Sequence, residues 1–295
     1  MVINKANLSI LYTALLTAYN GGFAGLKPQW NVVATEVPST TSENQYGWLG
    51  QFPMMREWLG DRVINNLKLH DYSIRNKTWE NTIGVPRDAI DDDQYGVYLP
   101  VAQEQGRMVA EHPDILTYGL LSSGFSTTCY DGQYFFDVDH PVTDANGNET
   151  SVSNFQGGAG TAWYLIDDSR AIKPIILQMR RKPKFVAKTQ ETDDNVFNRN
   201  EFLYGVDGRW NVGFALWQLA YASKQTLDTT NLAAAIATMG SQAGDNGRKL
   251  GTKGRVLVVP PSLEFVAKGL IAATLPAGGE NPMANAVRVE VCPWL

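Results

Sequence analysis

A chain of 295 residues predicts about two domains and is long enough to bury a core without disulfide or metal staples. Its 44% hydrophobic and 19% charged content marks it as globular, and 25 Lys and Arg against 30 Asp and Glu give a formal charge of -5, which argues against a protein devoted to gripping phosphate backbones. Cys129 and Cys292 are the only cysteines, a usage that fits a reducing compartment, and no run suits a signal peptide or a transmembrane helix, so a cytoplasmic setting is expected.

Ile10, Leu11, Ala14, Leu15 and Ala18 recur at helical spacing, and Gly21-Gly22 ends the run. This helix packs either on its own core or on a neighbouring subunit, and its position alone does not separate the two. An aromatic-rich stretch follows from Tyr46, and residues 63–85 read as extended, with Leu67, Leu69, Tyr72, Ile74, Trp79, Ile83 and Val85 alternating with polar residues. A lone ribbon is marginal in water, so its apolar side must lie on its own domain or on another subunit. Both signs of charge interleave along it, which suits a self-complementary contact.

Asp91-Asp92-Asp93 sit before a helical stretch, where capping and the helix dipole favour acids, and three adjacent Asp side chains diverge too far to share an ion. Val97, Val101, Met108 and Val109 give that stretch an apolar face, and Pro100 and Pro113 are expected to divide it into kinked or consecutive pieces before Gly124. A turn and a short aromatic strand follow at 130–141, then a loop over 144–160 and an apolar strand at 163–166. Residues 173–188 read as a long strand that pairs with 201–221, with Asp207-Gly208 as the turn. Thr229 or Thr230 caps a helix whose buried stripe is Leu232, Ala233, Ile236, Ala237 and Met239. A glycine-rich connector over 244–254 leads to the strand 256–259, a helix over 263–273 opened by Pro260-Pro261-Ser262, and a last strand at 287–292. The mixed order of strands and helices reads as α+β.

The search for chemistry ends without a reaction centre. Cys129, Asp139 and His140 are the obvious nucleophile, acid and base, but the side chains of adjacent Asp139 and His140 diverge on a strand. Asp137-x-Asp139 followed by His140 reads as a polar strand end rather than a cation site, and His70, His112 and His140 are too few for a zinc site built from several histidines. The 244–254 loop lacks the Gly-Lys-Ser/Thr ending of a phosphate loop and stands in the wrong order, after a helix and before a strand. Arg180, Arg181, Lys182, Lys184 and Lys188 form the strongest basic cluster, read as a strand face paired with acidic neighbours. No catalytic residue, cofactor or metal ligand is assigned. Large aromatic investment in extended segments without a reaction centre points to an assembly component.

Five stretches carry a family resemblance: 87–93 with Gly96-Val97-Tyr98; Asp131-Gly132-Gln133-Tyr134-Phe135-Phe136-Asp137-Val138-Asp139-His140-Pro141; 163–167 through 173–176 to 180–183; 204–207 through 213–220; and 257–264. In this order they resemble the Mu-like phage major head subunit (gpT) family, whose members form the capsid shell. The resemblance implies the Hong Kong 97-type phage capsid fold: an N-terminal arm at 1–45, an extended loop at 46–91, a mainly peripheral domain at 92–228 with the spine helix and long strands (129–170 contributing to the axial domain), and a mainly axial domain at 229–295. It also implies assembly with itself into hexamers and pentamers of an icosahedral shell enclosing double-stranded DNA. Scaffold, portal and minor capsid or decoration proteins are the further partners, DNA contact is weak and non-specific, and neither membrane nor cofactor takes part. On this reading Trp58, Arg62, Tyr72, Ile74, Trp79 and Arg87 are the expected inter-subunit contacts. In many relatives with this fold a strand ending in Pro-aromatic-Leu runs directly into a Trp-Tyr-Leu segment, whereas here Pro293-Trp294-Leu295 ends the chain and Trp163-Tyr164-Leu165 lies far upstream. The order looks circularly permuted, so Leu295 is expected close to Ala162 and Trp163. The alternatives are an encapsulin-like compartment shell and a cytoplasmic hydrolase using Cys129 or Asp139 with His140.

Overall fold

The computed structural model describes residues 3–50, 71–92, 94–273 and 280–295. In chain order the elements are α1 (Lys5–Gly25), β1 (Ala34–Pro38), β2 (Glu43–Gln45), β3 (Ser73–Arg75), β4 (Lys77–Pro86), α2 (Arg87–Asp91), α3 (Leu99–Ser123), β5 (His140–Thr143), β6 (Glu149–Val152), β7 (Phe155–Gly158) and β8 (Trp163–Ile166). They continue with β9 (Ile175–Lys188), α4 (Asp194–Arg199), β10 (Glu201–Phe214), β11 (Ala220–Lys224), α5 (Thr229–Ser241), β12 (Ala243–Gly244), β13 (Arg248–Lys249), β14 (Val256–Val259), α6 (Glu264–Leu270) and β15 (Arg288–Val291).

The first helix packs on its own chain. Asn4 caps it by accepting the Asn7 N–H at 2.9 Å, and Leu11, Leu15 and Tyr19 are buried. Its crossing with α3 is close because two glycines face it. A Cβ on Gly22 would run into the Gln103 carbonyl, and one on Gly106 into the Tyr19 carbonyl.

The helix α3 runs unbroken over 25 residues, with Pro100 in its first turn and Pro113 inside it. The expected division at Pro113 does not occur. The lost N–H bond is tolerated because both halves are anchored: Ala102 and Gly106 lie at the α1 crossing, while Asp114 accepts the Gln29 and Trp30 N–H groups at 3.0 and 2.6 Å. Tyr118 also donates to the Gln29 carbonyl at 3.0 Å. The expected apolar face holds only at Val109, which packs against the α1 cluster. Val97, Val101 and Met108 are exposed, and the buried residues are Ala102, Gln105, Gly106, Glu111, Asp114, Thr117, Tyr118 and Leu121. Small residues admit α1, the Gln105 amide nitrogen donates to Asn81, and Asp114 takes the two N–H groups already named.

A four-stranded sheet has the order β1-β9-β10-β4, with β1 parallel to β9 and the other pairs antiparallel. The alternation along β10 turns Phe202, Tyr204 and Val206 toward the α1 cluster. Asp207-Gly208 is a bulge in mid-strand, not a turn; the chain reverses over 189–200, where Asn200 takes a left-handed φ of 54°. Gly208 is required there because a Cβ would meet the Trp210 indole.

The second sheet has the order β15-β14-β8-β11-β7. Its runs Trp163–Ile166 and Val256–Val259 are buried at every position. Trp163, Leu165, Leu257 and Val259 meet α5 and α6 on one face, while Tyr164, Ile166, Val256 and Val258 join the large cluster shared with the first sheet. Asp228, rather than Thr229 or Thr230, caps α5 by accepting the Asn231 N–H at 2.8 Å. The glycine-rich connector folds back as the short pair β12 and β13. At the chain end, Val291 pairs with Val259 on β14, whose neighbour Val258 pairs with Tyr164 on β8. The end of β15 and the start of β8 therefore share one end of one sheet, about 10 Å apart across two strand spacings. Ala162, Trp294 and Leu295 all pack against the large cluster.

Candidate assembly interface

The described part of the expected extended loop is tied to its own subunit. Ile74 is buried in the large cluster, pressed against Gly213. Tyr72 accepts the Phe214 N–H at 2.7 Å on its hydroxyl, and burial pushes its phenol pKa up to about 12. Tyr46 donates to Gln178 Oε1 at 2.8 Å, and Gln178 Nε2 donates to the Ile74 carbonyl at 2.9 Å. Trp79 is half-buried. Its indole N–H donates to the Trp210 carbonyl at 2.9 Å, and its ring lies 4.4 Å from the His112 imidazole.

Trp210 donates in turn to His112 Nδ1 at 3.1 Å. An indole N–H only donates, so Nδ1 accepts and His112 is neutral with its proton on Nε2. Burial lowers the His112 pKa. The Arg87 guanidinium stands 3.7 Å from Glu191 with its side chain about one third exposed. Trp58 and Arg62 lie outside the described residues.

Of the two surfaces the alternation left open, the apolar side of residues 72–86 meets its own domain. What faces outward is the free edge of β4, which has no further strand partner among the described residues.

Several large apolar side chains lie uncovered elsewhere. Val101, Met108 and Ile115 repeat every seven residues along α3, which places them on one outward stripe, with Val97 beside its start. Phe197 on α4 is 83% exposed and Phe265 on α6 is 82% exposed, with Val266 next to it. Single exposed apolar side chains are ordinary on a monomer, but the continuous α3 stripe and the adjacent Phe265 and Val266 are the kind of patch that a partner covers. The sequence pattern offers Val97, Val101 and Met108 only as part of an apolar helix face and gives no sign of Phe265; for Phe197 the available signal is an aromatic between Val196 and the polar Asn198-Arg199. In the basic run, Arg181 pairs with Asp207, and Arg180, Lys182, Lys184 and Lys188 are exposed.

The residues weighed for hydrolysis do not form a nucleophile and base. Cys129 Sγ points to Asp131 Oδ1 at 3.0 Å rather than to the imidazole, and burial first, then the Asp131 charge, push the thiol pKa far up. His140 turns to Asp131, while Asp139 is exposed and its carboxyl pKa is raised by its hydrogen bond with Asp137.

The family described as Mu-like prophage major head subunit gpT matches this chain over residues 8–295. The chain belongs to the Mu-like major head subunit family. It is similar to the major capsid protein of Escherichia phage Mu, 43% identical over 98% of this chain and 96% of that protein. It is also similar to the FluMu major head subunit of Haemophilus influenzae, 44% identical over 88% of this chain and 86% of that one. Among solved structures, the procapsid of bacteriophage JBD30 superposes with a TM-score of 0.88 at 44% identity, covering 99% of this chain and 100% of that chain. This Mu-like head subunit is thus a structural capsid protein of the Hong Kong 97-type fold, not an enzyme. The shell reading stands over the compartment and hydrolase alternatives. No helix among the described residues is long and apolar enough to cross a membrane.

Proposed function

We propose that copies of this chain tile an icosahedral shell as hexamers and pentamers, enclosing double-stranded DNA and assembling in the cytoplasm of a bacterial host. The observation that carries the reading is the set of large apolar side chains left in water on α3, α4 and α6 of a capsid-family subunit. Neighbouring copies would cover them, with a per-subunit burial above the roughly 2,000 Å² of obligate contacts. The domain reading goes with it: α1 and β1 in the arm segment 1–45, β4 in the extended loop 46–91, the spine α3 with β9 and β10 in the peripheral domain, and α5, α6 and β14 in the axial domain.

On this reading Trp58, Arg62 and the outward parts of Trp79 and Arg87 reach the neighbour, while Tyr72 and Ile74 anchor the loop's base to its own subunit. The meeting of the chain end with β8 supports a circularly permuted strand order. A JBD30 capsid is decorated with minor capsid protein trimers, and a similar partner fits here, beside a scaffold and a portal. The net charge of -5 suits a lattice that holds DNA by weak, sequence-independent contact. Expression of the full chain followed by negative-stain microscopy tests the reading: rings or particles support it, and a uniform small oligomer at all concentrations contradicts it.

A further inference from the structure

Cys129, Asp131 and His140 converge where the turn after the spine helix meets the start of β5. Their ligand atoms all lie within 4.8 Å of one another. Cys129 Sγ is 3.0 Å from Asp131 Oδ1, and His140 Nδ1 is 2.7 Å from Asp131 Oδ2. Cys129 and His140 are buried, and the Asp131 side chain is nearly so.

The far side of the imidazole fixes which nitrogen faces the cluster. Asn154 Nδ2 donates to the Phe135 carbonyl at 2.8 Å, which turns Asn154 Oδ1 toward the ring. That oxygen accepts the Asp137 N–H at 2.9 Å and stands 3.2 Å from His140 Nε2. Nε2 therefore keeps its proton as a donor, and Nδ1 is the atom offered to the cluster, an arrangement that orients a ligating histidine. Trp217 stacks on the ring with centroids 3.9 Å apart and planes 8° apart, which stops it from rotating away.

We propose that Cys129, Asp131 and His140 form a binding site for one divalent transition-metal ion of the zinc class per subunit. A thiolate, an imidazole nitrogen and a carboxylate oxygen are ligands that zinc takes, whereas magnesium and calcium select all-oxygen sets. The charge balance is favourable. In the ion-free cluster one proton lies between Sγ and Oδ1 and another between Nδ1 and Oδ2. An ion entering among Sγ, Nδ1 and a carboxylate oxygen replaces both: M²⁺ enters, two protons leave to solvent, the S–H bond and the proton shared by Nδ1 and Asp131 give way to metal–ligand bonds, and no electron moves. The net buried charge is unchanged, which avoids the cost of adding an unpaired charge to the interior.

Asp131 also lines a cleft of about 170 Å³ with Pro141 and Trp217, a path for the ion and for a water that completes its coordination. The acids next to the histidine in sequence take no part. Asp137 accepts the Tyr134 and Val138 N–H groups, and Asp139 is exposed. The site is internal to one subunit, so it stands independently of the assembly reading.

The test is cobalt titration of the full-length chain after metal removal, read by elemental analysis and by thiolate-to-cobalt charge-transfer absorption. The expected result is one cobalt per chain with that absorption present, displaced by zinc, lost in Cys129→Ser and kept in Cys292→Ser. Wild-type protein that retains no cobalt, or binds it without the charge-transfer band, overturns the proposal whether or not the variants fold. So does a band that persists in Cys129→Ser or vanishes in Cys292→Ser.

Discussion

At the scale of single residues, the apolar side chains left in water separate folding from assembly. Phe197 and Phe265 touch little in their own subunit, so Phe197→Asp and Phe265→Asp are each expected to change subunit stability by no more than about 0.5 kcal/mol. Particle yield, counted by microscopy, should fall sharply if neighbours bury these rings. Trp79 differs, because it is committed to its own chain through Trp210 and His112. Trp79→Ala is expected to cost about 2 kcal/mol in a denaturant melt and to lower particle yield as well. Trp79→Phe keeps an aromatic ring there but loses the indole N–H bond to the Trp210 carbonyl, at least about 1 kcal/mol.

His112 gives that corner a pH dependence. Its pKa in the folded chain lies below the ordinary 6.5, so the unfolded chain takes up the proton first as pH falls. The stability it contributes is full above 6.5 and is lost as pH falls from 6.5 through the lowered value, when protonated Nδ1 can no longer accept from Trp210. His112→Gln should flatten the change in urea midpoint between pH 7.5 and pH 5.5, values chosen to lie about one unit either side of the ordinary histidine pKa. An unchanged slope would remove His112 from this role.

At the scale of elements, the crossing of α1 with α3 depends on two glycines. Alanine is the better helix former by about 1 kcal/mol, yet Gly106→Ala and Gly22→Ala should destabilise, because each new methyl meets a carbonyl across the crossing. Gly119→Ala, on the same helix with open space around it, should stabilise by about 0.5–1 kcal/mol and serves as the control. Thermal melts of the three variants decide this, and a stabilised Gly106→Ala would contradict the packing described.

The same crossing shows where sequence reading succeeds and where it fails. The strands at 163–166 and 256–259 are legible because continuous apolar runs have nowhere to go but a doubly covered sheet. The pairing of β9 with β10 is legible from their length, but Asp207-Gly208 is misread because glycine's local turn signal looks the same as a glycine that makes room for Trp210. The face of α3 is inverted because the reading assumes apolar residues point inward. Here the first half of the inward face is built mainly of small and polar residues, with Tyr118 and Leu121 buried further on, and Val97, Val101, Met108 and Ile115 are left exposed. The meeting of Cys129, Asp131 and His140 was hidden for a similar reason: Asp139 is the neighbour of His140 in sequence, but the tight turn at Asp131-Gly132 brings the other acid to the ring.

At the scale of the whole molecule, the two large sheets and α3 build a subunit that folds on its own core yet leaves, among the described residues, an apolar stripe, two exposed phenylalanines and the long outer edge of β4 uncovered. Family resemblance carried this level, since no motif for an active site exists to be read and tiling leaves no compact signature in a single chain. The central claim is that these surfaces are closed by further copies of the same subunit. Analytical ultracentrifugation of the purified full-length chain across a concentration series, with microscopy of the same fractions, tests it most directly. The account predicts concentration-dependent rings or closed particles that the Phe265→Asp subunit fails to form while remaining folded. A wild-type chain that sediments as a folded monomer at every concentration, including in the presence of the other head proteins of its phage, would contradict it.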